Sequence, residues 1–409
     1  MSGAVTTRGR HVAEPALAGV RVLELGQVIA GPFCGQLLGD LGADVVKVEP
    51  PGVGDVLRQW GRVHGEDGDS LWWRVTGRNK RSVTVDLRRP EGQQLVRRLA
   101  EHCDVLLENF RPGTLERWGL GWADLSRHNE RLVMVRVSGF GQDGPYAGRA
   151  GYAAIGEAMG GLRALTGYPD RPPTRVGLSI GDSLAGTMAA LGAVAALEAR
   201  HRTGRGQVVD ASIFESVLAM TEALVPEWQV AELRRERTGP TLPGIAPSNV
   251  YPTVDGQVLV AANQDSVFRR LAAAMDAPEL AEDPRFSDHR ARGERQAELD
   301  GIIAGWTGSR GATEVLDRLH EAGVPAGLVY EPADMLADPH FRARDSIVHV
   351  PDEEFGEVAM PAVVPRLSAT PGSIRGRAPR LGEHTDAVLT DLLGLSAQEI
   401  QDLRAAGVV

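Results

Sequence analysis

Three short runs near the start of the chain restrict its fold more than any other feature. Val20 to Leu25 (VRVLEL) is an apolar, β-branched run. Ala30 to Leu41 (AGPFCGQLLGDL) follows with helical spacing and a proline tolerated in the first turn, and Asp44 to Val48 (DVVKV) is β-branched again. Strand, helix and strand within roughly thirty residues make a βαβ unit, whose strands must run parallel. Ser82 to Leu87 (SVTVDL), Asp104 to Leu107 and Leu132 to Val137 read as further strands, and Pro90 to Glu101 as a helix opened by Pro90 and Glu91. This half is α/β, with helices on both faces of a mostly parallel, Rossmann-like sheet.

In such sheets ligands bind outside the carboxyl ends of the strands. Gln27 follows the first strand, Glu49 and the Pro50-Pro51 turn the second, Asn109, Phe110 and Arg111 the fourth, and Ser138-Gly139-Phe140-Gly141 the fifth. The first turn reads GQVIAGPF and lacks G-x-G-x-x-G, which argues against a classical dinucleotide site.

From Arg175 to Ser216 the chain reads RVGLSIGDSLAGTMAALGAVAALEARHRTGRGQVVDASIFES. Gly181-Asp182-Ser183 stands where a buried, Ala-rich helix should begin. A carboxylate there meets unsatisfied N–H groups and the positive end of the helix dipole, which favour its ionised, nucleophilic form. Asp and Ser are also the commonest N-caps, and a cap needs no chemistry. Local sequence leaves both readings open.

The length of 409 residues suggests about two or three domains. The large domain is expected over 1–226. Thr238 to Pro252 (TGPTLPGIAPSNVYP) is a Pro- and Gly-rich boundary or lid, and a smaller α+β domain is expected over 227–338. It would hold strands Gln257 to Ala261 and Ala326 to Tyr330, with helices Asp265 to Met275, Glu294 to Trp306 and Ala312 to Ala322. Residues 339–409 are expected to return to the large domain or to a partner subunit. Within them, Ile347 to Pro371 should pair with one sheet or the other. The tail from Arg380 should form two amphipathic helices, the second opened by a Ser396/Glu399 capping box, that bury Leu389, Leu392, Leu393 and Ile400.

A net charge of -10 without a long basic run argues against nucleic-acid partners. Cys34 and Cys103 form no framework or metal-ligand pair, so no metal is expected. The N-terminal stretch is polar and lacks a signal-peptide core, and the Ala-rich run after Asp182 carries two glycines and ends in charge. A cytoplasmic protein with no membrane partner is expected.

Taken together, VRVLELGQVIAGPFCGQLLGDLGADVVKVEPP, GRNKRSVTVDLRRPEG, DVLLENFRPGTLERWGL, VSGFGQDGPYAGRAGY, GDSLAG, TGRGQVVDASIFES and RLGEHTD resemble a family III CoA-transferase, the family of formyl-CoA transferases and α-methylacyl-CoA racemases. The resemblance spans nearly the whole chain, in the family's order. It implies a two-domain protomer in an interlocked homodimer, coenzyme A or acyl-CoA as substrate with no permanently bound cofactor, and a carboxylic acid as the second substrate. Asp182 matches the family's catalytic carboxylate. Val85, Arg88, Asn109, Phe110 and Arg117 match its CoA contacts, with Arg88 and Arg117 on phosphate oxygens. Tyr152 matches an active-site tyrosine, Gln27 and Ile29 line the acyl pocket, and Gly244 lies in the matching lid, LPGIAPSN. Asn79, Lys80 and Arg81 form a second basic cluster, and Lys47 fits either a ligand or a structural role. Oxyanion donors are sought near Gly181 or in the loop from Gly239 to Pro247.

Departures narrow the chemistry. The racemase branch requires a His and a Glu where this chain has Tyr152 and Gln264, neither suited to shuttle a proton at neutral pH. The formyl-CoA transferase branch has a glutamine where this chain has Ile29, so a different carboxylic or dicarboxylic acid is expected, with Arg149 or Arg175 for the second carboxylate of a dicarboxylic one. Transfer of CoA through an aspartyl anhydride and an aspartyl-CoA thioester is the leading reading. An acyl-CoA racemase or epimerase and a catalytically silent CoA-binding protein are the alternatives.

Overall fold

The computed structural model describes residues 14–409, so the polar stretch 1–13 lies outside the described residues. The chain divides into two compact units: one of 14–162, Val176–Pro226 and Arg344–Val409, the other of Arg163–Arg175 and Glu227–Ala343. The sequence reading placed 163–175 with the large domain, whereas these residues group with the smaller unit.

The larger unit is built on six parallel strands in the order β3-β2-β1-β4-β5-β6: β1 Arg21–Glu24, β2 Asp44–Glu49, β3 Lys80–Thr84, β4 Val105–Glu108, β5 Val133–Ser138 and β6 Val208–Ser212. The order reverses between β1 and β4, which makes a topological switch point at their carboxyl ends. Successive side chains of a strand point to opposite faces. Leu23, Leu25, Val46, Val48, Leu106 and Met134 therefore enter one core, and Val22, Val45, Val105, Leu107, Val133 and Val135 the other. Helix Pro90–Glu101 and the two C-terminal helices, Thr385–Leu393 and Ala397–Ala405, cover the first face through Leu95, Val96, Leu99, Val388, Leu389 and Ile400. Helices Ala30–Asp40 and Ile180–Thr203 cover the second.

The tail packs on one face of the larger unit's sheet, with the Ser396/Glu399 capping box formed. Residues 347–361 depart from expectation. β10 Ile347–Asp352 pairs antiparallel with β11 Gly356–Pro361 as a hairpin and joins neither larger sheet. β3 starts at Lys80 and ends at Thr84, which leaves Val85 in the turn beyond it.

Helix Ile180–Thr203 is, by length and mean hydropathy of 1.5, apolar enough to cross a membrane, contrary to the sequence reading. Here it is the crossover between β5 and β6. Gly186 is packed so closely that a Cβ would stand 2.7 Å from the Ala30 carbonyl oxygen, and Ala185, Ala189 and Ala193 are fully buried. At its far end Arg200 pairs with Asp104 at 2.9 Å and donates to the Arg131 carbonyl at 3.1 Å, on the amino side of β4 and β5. The helix thus runs from the carboxyl edge of the sheet to its amino edge.

The smaller unit is α+β. Its antiparallel sheet has the order β7-β8-β9, with β7 Ser248–Pro252, β8 Gln257–Ala261 and β9 Ala326–Leu328. Helices Asp265–Ala274, Gln296–Thr307 and Ala312–Glu321 bury Phe268, Leu271, Leu299, Ile303, Val315 and Leu319 against Tyr251, Val258 and Val260.

Candidate active site

Charged side chains inside the central strands shape the carboxyl edge at the switch point. Lys47 of β2 is fully buried and all three of its donors are used: Gly26 O at 2.6 Å, Glu24 Oε1 at 3.0 Å and Asp55 Oδ2 at 2.8 Å. Burial alone would lower the Lys47 pKa; the charges of Asp55, Glu24 and Glu49 more than reverse it and hold the ammonium charged. Lys80 meets Glu24 at 2.8 Å and donates to the Pro32 carbonyl at 2.7 Å. The Glu24 carboxylate fits under helix Ala30–Asp40 only because residue 35 is glycine, since a Cβ there would stand 1.8 Å from Glu24 Oε2.

This framework grips loop 26–29 one peptide at a time. Asn109, at the exit of β4, accepts the Gln27 N–H at 2.8 Å and donates to the Gln27 carbonyl at 2.7 Å, stapling the exits of β1 and β4 across the switch point. Asp55 Oδ1 accepts the N–H of Val28 at 2.9 Å and of Leu57 at 2.9 Å. Val28 has φ of 69°, a left-handed conformation rare for a β-branched residue and costing about 1–3 kcal/mol. Turn 49–58, which carries Asp55, is closed by Glu49, which accepts from Asp55 N at 2.9 Å and from Arg58 Nε and Nη2 at 2.8 Å each.

Burial raises the Glu49 carboxyl, but Arg58, Lys47 and Ser82 more than compensate and leave it below its ordinary value of 4.5. A depressed carboxylate stabilises the fold fully above 4.5 and loses that contribution as pH falls through the folded value. Glu49→Gln is therefore expected to cost on the order of 2 kcal/mol at neutral pH. The gap to the wild-type protein should close below pH 4.5 in urea unfolding curves. A gap that widened on acidification would contradict the assignment.

Asp182 is the third residue of helix Ile180–Thr203, with Ser179 at the cap. The expected N-cap placement is thus displaced by one turn, and the carboxylate sits partly exposed among the first-turn N–H groups. Gly181 is fixed from behind: its N–H reaches Glu157 Oε1 at 3.4 Å, and a Cβ on it would stand 3.1 Å from Ile213 and 3.3 Å from the Ala153 carbonyl oxygen. Tyr152 precedes Ala153 and heads the short helix Ala153–Met159. It is 75% exposed, so it is not a core aromatic. On the opposite side, the contact of Gly186 with Ala30 sets loop 26–29 beside the next turn of the same helix. Gln27, Ile29, Asn109, Tyr152 and Asp182 are gathered in this way at one edge of the larger unit.

The remaining residues from the sequence are in different states. The Val85 side chain is 1% exposed and its N–H donates to the Glu49 carbonyl, so only its carbonyl oxygen is available to a ligand. Arg88 is exposed and bonds Asp86 through Nε and Nη2 at 2.9 Å each. Phe110 packs edge-on to Trp118 at 5.4 Å, and Arg117 donates to Thr114 Oγ1 at 3.0 Å from an exposed position. The second basic cluster is structural. Arg81 pairs with Asp44, Asn79 with Asp40, and Lys80 and Lys47 with Glu24. Gly244 belongs to the smaller unit, in a tight 242–245 turn with φ of 75°. No group of His, Cys, Asp and Glu among the described residues is arranged to hold a metal.

Sequence reasoning missed Glu24, Asp55 and the role of Lys47. A lysine and a glutamate inside otherwise apolar central strands were the available signal, because a buried charge needs a partner.

A 3-2-1-4-5-6 sheet with a helix-borne carboxylate at its switch-point edge defines an α/β protein of the class whose ligands bind outside the carboxyl ends of the strands. The chain belongs to the family III CoA-transferases: the description of that family, CoA-transferase family III, matches residues 17–385. It is 59% identical over 391 residues to the succinyl-CoA–D-citramalate CoA-transferase of Chloroflexus aurantiacus, covering 95% of this chain and 97% of that one. It is 44% identical to the β subunit of the succinyl-CoA–L-malate CoA-transferase of the same organism, over 96% and 98% of the two chains. A crystal structure of a CAIB/BAIF family protein from Brucella suis superposes with a TM-score of 0.82 at 36% identity, covering 93% of this chain and all of that one. The protein is a transferase that handles CoA thioesters.

Proposed function

We propose that the protein transfers CoA from succinyl-CoA to a hydroxylated dicarboxylic acid of the citramalate or malate kind, as a soluble cytoplasmic homodimer, with Asp182 as nucleophile. The observation that carries this reading is a carboxylate in the first turn of a long helix at the switch-point edge, in a chain 59% identical to a transferase named for succinyl-CoA and D-citramalate.

An Asp182 oxygen attacks the thioester carbonyl carbon, and the tetrahedral intermediate expels CoA thiolate to leave a mixed succinyl-aspartyl anhydride. The thiolate then attacks the Asp182 carbonyl carbon, releasing succinate and leaving an aspartyl-CoA thioester. The acceptor carboxylate displaces CoA from that thioester to form a second anhydride. Thiolate attack on the acceptor's carbonyl gives the new acyl-CoA and regenerates Asp182. The thioester is conserved throughout, so no ATP is needed. Each oxyanion requires nearby donors, and the N–H groups around Gly181 or in loop 239–247 are the candidates. Arg88 and Arg117 would meet CoA phosphates, with Asn109, Phe110 and the Val85 carbonyl beside the nucleotide end. Gln27, Ile29 and Tyr152 would face the acyl group, and Gly244 would belong to a lid.

The test incubates the protein and succinyl-CoA with D- and L-citramalate, malate, glutarate and acetate, and reads products by mass spectrometry. Succinate and a hydroxydicarboxylyl-CoA should appear in equal amounts. Transfer to acetate alone, or solvent deuterium at an α-carbon without transfer, would overturn the reading.

Support for the homodimer comes from the outward face of helix Ile180–Thr203, where Leu191 is 64% and Val194 38% exposed, although the opposite face is core. Light scattering after gel filtration is expected to give twice the 43.7 kDa chain mass, and Leu191→Glu to shift it toward that of one chain. A wild-type monomer would refute this.

A further inference from the structure

We propose that Lys47, Asp55 and Val28 are positioning residues for CoA transfer: a buried clamp holds Val28 left-handed and so fixes loop 26–29 beside the reacting carboxylate. The inference rests on the function proposed above and adds residues to that site.

Three consecutive residues of the loop are each held by a side chain from elsewhere. Lys47 of β2 takes the Gly26 carbonyl, Asn109 beyond β4 takes both peptide groups of Gln27, and Asp55 of turn 49–58 takes the Val28 N–H. Lys47 and Asp55 also pair with each other at 2.8 Å, both fully buried, so the clamp is one ionic unit. Turn 49–58 is itself locked by the two-point Glu49–Arg58 pair, and Arg58 stacks on Trp73 with its guanidinium carbon 3.8 Å from the ring centre.

Stability does not ask for valine here. At φ of 69° a glycine would be relaxed, whereas a β-branched residue is held against its preference. A strained residue that its surroundings over-determine is what a site needing a preorganised backbone would contain. The location agrees. The loop crosses the switch point, and Ala30, which follows it, touches Gly186, four residues along the helix from Asp182. The clamp therefore sets where the Gln27 and Ile29 side chains stand relative to the carboxylate that attacks.

Glycine at position 28 separates this role from a structural one, because it moves stability and turnover in different directions. Val28→Gly is expected to leave the melting temperature unchanged or raised. Its kcat for CoA transfer from succinyl-CoA should fall at least about tenfold, with the KM for succinyl-CoA unchanged, since the loop loses its fixed position while the proposed nucleotide contacts lie on other segments. Val28→Ala removes the branched side chain but keeps a Cβ that restricts the backbone, and is expected to stay within about threefold of wild-type kcat. Asp55→Asn, which keeps an oxygen for the Val28 N–H but loses the charge on Lys47, should reproduce the kcat-specific loss. Wild-type kcat in Val28→Gly, equal losses in the glycine and alanine variants, or a marked fall in melting temperature of Val28→Gly would each overturn the proposal. A wild-type protein that transfers no CoA would instead remove the proposed function, before any variant is made, and this inference with it.

Discussion

Asp182→Ala is expected to lower CoA exchange by at least about 10³-fold while leaving the fold intact, because the proposed nucleophile carries all three covalent intermediates of the proposed mechanism. Asp182 is partly exposed in the first turn of its helix, so its truncation is expected to open no buried cavity. The variant should melt near the wild-type protein, which makes its kinetics interpretable. Asp182→Glu moves the carboxylate outward by one methylene and is expected to lose about 10²-fold, since a displacement of roughly 1 Å at the reacting atom has that effect. Incubation of the wild-type protein with acyl-CoA and hydroxylamine should place a hydroxamate on Asp182, located by peptide mass spectrometry. Substantial exchange by Asp182→Ala would end the covalent mechanism for this chain.

The largest expected loss of stability follows from Lys47→Ala. The ammonium is fully buried and neutralises Glu24 and Asp55, both also at 0% exposure. Truncation leaves Asp55 with no cation in contact, while Glu24 retains Lys80. Breaking one partner out of a buried ionic cluster costs about 3–5 kcal/mol, a large part of the stability of an ordinary domain. The loss should appear in the urea transition of the larger unit, followed through a probe there, since two compact units need not unfold together. A change below about 1 kcal/mol would show that water or rearranged side chains compensate the charge left at Asp55. Lys47→Arg is not a conservative repair, because a planar guanidinium cannot point its donors at three oxygens set around a single nitrogen.

The parallel strands of the larger unit are most legible in sequence where both faces are covered. β1, β2, β4 and β5 appear as β-branched runs because each alternate residue enters a different core. β6 escaped because little of it is buried, with Val208 and Asp210 exposed and only Ala211 and Ser212 buried, whereas β3 at the other edge is mostly enclosed. The 347–361 hairpin was misassigned although its turn was visible as DEEFG, where Asp352 accepts the N–H groups of Glu354 and Phe355 at 3.0 and 3.2 Å. A hairpin signal fixes a local partner, and the larger sheets had been favoured over it.

The candidate site shows the same division. Asp182 was legible because a motif and a helix start coincide there. The grouping of Gln27, Ile29, Asn109 and Tyr152 around it depends on Gly181, Gly186 and Gly35, where missing side chains allow backbones and a carboxylate to approach. Sequence shows such glycines only as breaks in a pattern. Arg88 and Lys47 looked alike as cations near strand ends. One is exposed and shares its charge with Asp86, whereas the other is enclosed.

Helix Ile180–Thr203 joins Asp182 at one edge of the sheet to Arg200 at the other, about 27 Å away along the axis. Each inserted or deleted residue between Gly186 and Arg200 would turn the carboxylate by about 100° relative to the Arg200–Asp104 anchor. Acceptor preference can therefore diverge through the loops at the carboxyl edge, which tolerate changes of length. The crossover helix cannot change length without turning Asp182 away from its place at the carboxyl edge, and natural variation among active relatives should include substitutions along it but no gaps.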